Sequence, residues 1–143
     1  MKNQVIIIIL LLSVTFGCDT NNYKETETGL KYLFLEEGDG PTPKNREYLV
    51  MDVVVKNPND SIEFNSNERG IPETLRYDSS AFTKNGNLEE AYMMLQQGDS
   101  ASFKVKASKI FQGQPQEGID PESYFTVNIR VKEVLPYEEY TEW

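Results

Sequence analysis

The chain has 143 residues, 14 basic and 23 acidic, for a net charge of −9, with one cysteine and no histidine. So acidic a balance excludes a general nucleic-acid binder, which presents a basic surface. The residue inventory also excludes Ser-His-Asp and Cys-His catalysis, His- or Cys-ligated zinc and a disulfide within the chain; chemistry must rest on carboxylates, hydroxyls, backbone groups or an apolar pocket.

The N-terminus comes first in chain order. Lys2 supplies a positive charge, Val5 to Leu12 is unbroken aliphatic, and Ser13 to Gly17 leads into Cys18. A charged start, a short apolar core and a small residue before the cut describe a secretory signal over residues 1–17. About 12 apolar-dominated residues are too few to span a bilayer, which takes roughly 20. A cysteine directly behind Gly17 resembles a bacterial lipoprotein lipobox, whose thiol receives a diacylglycerol; the alternative is plain secretion. With residues 1–17 removed, 13 of the 14 basic residues remain against 23 acidic, a net charge of −10. An anionic membrane repels such a chain as a whole, so attachment is expected through lipid on Cys18.

Residues 18–28 are polar without apolar period and read as the lipidated cysteine and a flexible tether. The domain is expected over residues 29–135. Leu30 to Leu35 reads as a strand closed by the Gly38-Asp39-Gly40-Pro41 loop. Tyr48 to Lys56 is β-branched and long enough for a buried strand. Asn57 to Asp60 is a turn, and Ser61 to Asn65 returns to complete a hairpin. Residues 66–72 read as a loop, and Glu73 to Tyr77 as another short strand.

Asn87 to Gln96 carries the helical signal, with Leu88, Ala91, Tyr92 and Leu95 on one stripe, Asn87 as N-cap and Gly98 as C-terminal cap. Phe103, Val105 and Ala107, then Phe125, Val127, Ile129 and Val131, alternate with polar residues as half-buried strands do. Residues 136–143 form an acidic, aromatic and irregular tail. Carboxylate pairs such as Glu36-Glu37, Glu89-Glu90 and Glu138-Glu139 read as solvated faces. The expected architecture is α+β, a bent antiparallel sheet of five or six strands around one short helix.

The order of these parts resembles the FKBP-type peptidyl-prolyl cis-trans isomerases. TGLKYLFLEEGDGPTP (Thr28 to Pro43) is similar to that family's opening, and SIEFNSN (Ser61 to Asn67) to its Phe-Asp segment. NLEEAYMMLQQGD (Asn87 to Asp99) resembles its Trp-Glu-Glu-Ala helix, Lys109 to Gly113 its Leu-Ala-Tyr-Gly, and Ile119 to Val134 its closing segment and last strand. The resemblance implies an aromatic pocket between helix and sheet. Rotation about X-Pro faces a barrier of about 18–20 kcal/mol; an apolar pocket lowers it by stripping water from the amide and favouring the twisted form. Neither cofactor nor metal is implied.

By the same resemblance, the catalytic positions are Phe64, Asn65 (for the pocket aspartate) and Phe111 (for a tyrosine that hydrogen-bonds substrate). The pocket wall falls on Val53, Tyr77, Leu88 (for the tryptophan floor) and Val127. Lys84-Asn85 replaces an apolar pair before the helix. Set apart from the resemblance, Phe64, Leu88 and Tyr92 are ordinary core residues and Asn65 caps a turn.

Three functions are consistent with these residues. The first is a weak isomerase acting on proline-containing exported polypeptides, lipid-anchored in the cell envelope and facing periplasm or surface. The second is a non-catalytic chaperone or binding module of the same fold. The third is a structural subunit of an envelope complex, by analogy with Bacteroidetes lipoproteins of this fold, which the Ile-, Asn- and Lys-rich start resembles.

Overall fold

A computed structural model describes residues 22–142 except Pro115. The signal segment and Cys18 lie outside the described residues.

Among the described residues, seven strands form one antiparallel sheet: β1 (Lys24–Glu25), β2 (Lys31–Glu36), β3 (Tyr48–Lys56), β4 (Ile62–Asn65), β5 (Glu73–Arg76), β6 (Ser100–Lys106) and β7 (Tyr124–Leu135). Their order is β1-β2-β6-β7-β3-β4, and β5 pairs with the first half of β3. The seventh strand, β1, enters the sheet from the stretch read as a tether, pairing Lys24 with Tyr32 and Glu25 with Lys31.

Strands β3, β7 and β6 are the apolar centre because their alternating residues share one face. Partner positions Tyr32, Phe103, Val127, Val55 and Phe64 run as one row across five strands. Leu30, Leu49, Met51, Val53, Val105, Ile129 and Val131 bury themselves on the same side. The turn at residues 57–60 joins β3 to β4 as expected, with Asp60 in the left-handed region at φ 65°.

The outer edge of β3 is shared between two short strands. Between them sits α1 (Ser66–Arg69), a single helical turn where the sequence reads as loop. Ser66 is fully buried there, and its Oγ accepts the Val53 N–H at 2.8 Å. One hydroxyl therefore satisfies the backbone donor that neither β4 nor β5 reaches.

The expected helix forms as α2 (Leu88–Tyr92), with Asn87 Oδ1 accepting the Glu90 N–H at 3.1 Å. It is shorter than its apolar stripe. Beyond Tyr92 the turns tighten to three-residue bonds, Met94 to Ala91 and Leu95 to Tyr92, which still deliver Leu95 to the core. Gly98 does not cap this helix: at φ 92° it turns the chain into β6 and donates to the Val131 carbonyl.

The loop after β2 packs closely on that turn. Asp99, 2% exposed, accepts the Gly38 and Gln96 N–H groups, each at 2.8 Å. A Cβ at Gly38 would stand 2.2 Å from the Gln97 carbonyl oxygen, so only glycine permits the contact.

Two further single turns are α3 (Ala107–Ile110) and α4 (Tyr137–Tyr140). Ala107 therefore starts a helix instead of ending a strand. The tail read as irregular folds back as α4, stacking Tyr140 on Tyr48 with ring centroids 3.8 Å apart. It covers the sheet face opposite the main core, where Val50 is fully buried and Leu135 9% exposed.

Candidate functional site

Helix α2 lies against the apolar face of the sheet, and the residues expected to form the pocket divide there into three environments. Val53 (8% exposed), Tyr77 (7%) and Val127 (1%) belong to the main core, with Phe64 and Leu88 half-buried and packed against it. Phe64 ends the row that begins at Tyr32, so its ring meets the core from the sheet margin, and the Arg69 guanidinium lies 5.5 Å from its centroid.

Phe111 stands apart, on the loop after α3. Its ring meets Phe125 edge-on at 5.4 Å and lines a cavity of about 100 Å³ with Ala107, Ile119 and Pro121. That volume admits one small ring, and its lining is largely apolar. Phe125, 3% exposed, ties this cavity to the sheet.

Asn65 faces the other way. It pairs with Val54 whereas Phe64 pairs with Val55, so the two side chains leave opposite faces of β4. Its Oδ1 accepts the Asn67 N–H at 3.1 Å and its Nδ2 donates to Glu68 Oε1. The structure gives Asn65 the N-cap of α1.

One aromatic escapes the sequence reading. Phe82 meets Tyr77 edge-on at 5.4 Å and Tyr92 at 6.4 Å, extending the aromatic wall toward α2. The only signal for it is an aromatic between Tyr77 and the helix, in a segment without period. Burial raises the pKa of both tyrosines, for Tyr92 with help from the Glu73 carboxylate, so neither hydroxyl ionises near neutrality.

Two glutamates hold the polar loop before α2. Thr83 donates its backbone N–H and hydroxyl to Glu89 Oε2 at 2.7 and 2.8 Å, lowering the Glu89 pKa. Glu90 is 5% exposed, against its reading as a solvated residue. Burial alone would raise its pKa, but hydrogen bonds from Thr28 Oγ1 (2.8 and 2.6 Å) and the Gly86 N–H (2.8 Å) bring it below the ordinary value. Lys84-Asn85 thus belongs to a loop anchored by carboxylates. It borders a polar groove of about 570 Å³ in which Asn85 and Glu89 face Ser108 and Gln112.

Among the described residues no group of acidic side chains is arranged to hold a metal ion, and no buried side-chain polar atom lacks a partner. The arrangement offers ring faces, a small apolar cavity and an adjoining polar groove. Those are means to hold and desolvate a polypeptide segment without proton transfer.

No family model and no curated protein sequence matches the chain. Among solved structures it is similar to FkpA from Escherichia coli, with TM-score 0.64 and 24% identity over 80% of this chain and 52% of that one. It is similar to AtFKBP13 at TM-score 0.60 and 17% identity, covering 78% of this chain and 98% of that one. A peptidyl-prolyl cis-trans isomerase from Pseudomonas syringae pv. tomato gives TM-score 0.61 and 18% identity, covering 79% and 80%. The chain spans about half the length of the FkpA chain. At these identities the likeness is one of fold: the chain has the FKBP-like α+β fold.

Proposed function

We propose that the chain is a peptidyl-prolyl cis-trans isomerase-like lipoprotein, held in the cell envelope by lipid on Cys18 and acting on proline-containing exported polypeptides. The observation that carries the reading is Phe111 set over a small apolar cavity in an FKBP-like fold. A prolyl ring seated against such a face loses water from its amide, and the twisted, less polarised form gains relative to the planar ones.

The activity is weak. Phe111 has no hydroxyl to donate to the substrate, and Leu88 supplies less surface than an aromatic floor. Together these remove roughly 3 kcal/mol of stabilisation, judged by hydrogen-bond and aromatic-burial magnitudes. That corresponds to a rate lower by about two orders of magnitude.

NMR exchange spectroscopy on an Ala-Leu-Pro-Phe peptide tests the reading. Residues 19–143 should accelerate exchange, and Phe111→Ala or Phe64→Ala should lower that acceleration at least ten-fold while the fold persists. Exchange unchanged at high protein concentration would remove the isomerase.

The second reading, a non-catalytic chaperone or binding module, draws on Val53 and Val127 being closed into the core and Asn65 being engaged as a cap. It expects suppressed aggregation of an unfolded client with no effect on exchange.

A further inference from the structure

The register of the sheet gathers basic residues of this acidic chain on the face opposite the main core. Glu25, Lys31, Lys104, Thr126, Lys56 and Ile62 form one row across six strands. The next rows hold Ser102, Asn128 and Val54, then Glu36, Ser100, Arg130 and Asp52, while Lys106 pairs with Tyr124. Lys132 reaches the same side, its Nζ 3.7 Å from Asp52. On the half of this face nearest Tyr23, the four lysines Lys31, Lys56, Lys104 and Lys106 share the paired positions with Glu25 alone, and Asp60 and Glu122 reach in from flanking turns to Lys56 and Lys106. The other half sets Arg76, Arg130 and Lys132 against Glu36, Asp52 and Glu133, and α4 covers its end with Glu138 and Glu139. The whole chain carries −9, so the surfaces outside the half nearest Tyr23 hold more than all of its net negative charge.

Lys31 and Lys104 stand directly opposite each other, where like charges cost stability. Among the described residues neither has a carboxylate within 4.0 Å. Their ammonium groups lie over tyrosine rings instead, Lys31 at 4.7 Å from Tyr124 and Lys104 at 5.0 Å from Tyr23. The chain also enters the domain here, for the Tyr23 hydroxyl bonds Ser102 Oγ at 2.7 Å.

We propose that this face docks on the anionic headgroups of the membrane that anchors the chain, an inference that rests on the reading of Cys18 as lipidated. The five residues from Cys18 to Tyr23 span at most about 17 Å when fully extended. A lipid on Cys18 therefore keeps the bilayer within about two Debye lengths of Tyr23 at physiological salt. Within that reach the basic face is attracted and the acidic remainder repelled. Helix α2, packed on the other face, then points away from the bilayer and toward clients.

The test uses the full chain, processed and reconstituted in vesicles, with one fluorophore at Ile62→Cys on the basic face or at Lys84→Cys before α2. Headgroup-quencher lipids report which side meets the bilayer. With phosphatidylglycerol present, quenching at position 62 should exceed that at position 84 several-fold, and the excess should collapse in 1 M salt or neutral vesicles. Each lysine contributes about five-fold to such attraction, so Lys31→Gln with Lys104→Gln should lower the docked-to-free ratio about 25-fold, with thermal stability not lowered. Equal quenching at both sites, or an excess that neutral vesicles reproduce, overturns the proposal. The mass of the Cys18 peptide separates the two readings. An unmodified thiol removes the anchor and this orientation together, whereas an acylated Cys18 with equal quenching removes the orientation alone.

Discussion

Glu90 shows how a single side chain acts differently from what its charge suggests. It ties residue 28 and residue 86 to α2 through the Thr28 hydroxyl, whose one proton is shared between both carboxylate oxygens, and through the Gly86 N–H, bonds that favour the ionised carboxylate. Because its pKa is lowered in the folded chain, the stabilisation is fully present above the ordinary carboxylate value of about 4.3. It is lost as pH falls through the folded value. Glu90→Gln should cost about 2 kcal/mol at pH 7, and urea melts should show the gap between variant and parent closing below about pH 4. Asn65→Ala should cost about 1 kcal/mol through loss of the α1 cap and leave any peptide exchange rate unchanged. A fall in that rate larger than the loss of folded protein explains would give Asn65 a part in the site. In the sequence both residues sit in polar company, Glu90 beside another glutamate and Asn65 before a serine. Nothing local separates a buried carboxylate from a solvated one; its donors lie 62 and 4 residues away.

Elements with a period were legible, and those without one were not. Strand β3 keeps the boundaries read from its β-branched run, and the hairpin into β4 follows its Asn-Pro-Asn-Asp turn. Helix α2 was visible through its stripe and its N-cap. The single turns α1, α3 and α4 span four residues each, too few to repeat an apolar position, and tertiary contacts hold them. Ser66 Oγ on Val53 holds α1, and ring stacking on Tyr48 holds α4. Tyr140→Ala should therefore lower stability by about 1 kcal/mol from the lost ring pair alone. Hydrogen exchange should quicken at Val50 beneath it, while the Phe111 cavity, on the far side of the sheet, stays as it is. Unaltered protection at Val50 would show that the tail covers nothing.

For the whole molecule, the class of fold could be read and the wiring could not. Alternation in β6 and β7 shows one wet and one dry face for each strand, but not that β2 pairs with β6 or that β7 runs between β6 and β3. The order of motifs supplied the likeness to the FKBP fold, and the solved structures agree. The site was legible only in part for the same reason. Phe64, Tyr77, Leu88, Val53 and Val127 converge because they line one side of the sheet, but Phe111 reaches its cavity through a turn that no period announces.

The division of the β3 edge between β4 and β5, with a serine hydroxyl closing the gap, bears on how such a sheet resists joining other chains. A long unpaired strand is a template onto which extended chains add, and added strands become aggregates. Here the margin of the sheet is broken into pieces of two and four residues, and the free stretch of β2 is interrupted by a bulge near Leu35. An unfolded polypeptide that meets this margin finds no continuous ladder to join. Under the function proposed above, a client would be held by its side chains and would find no backbone template on the protein.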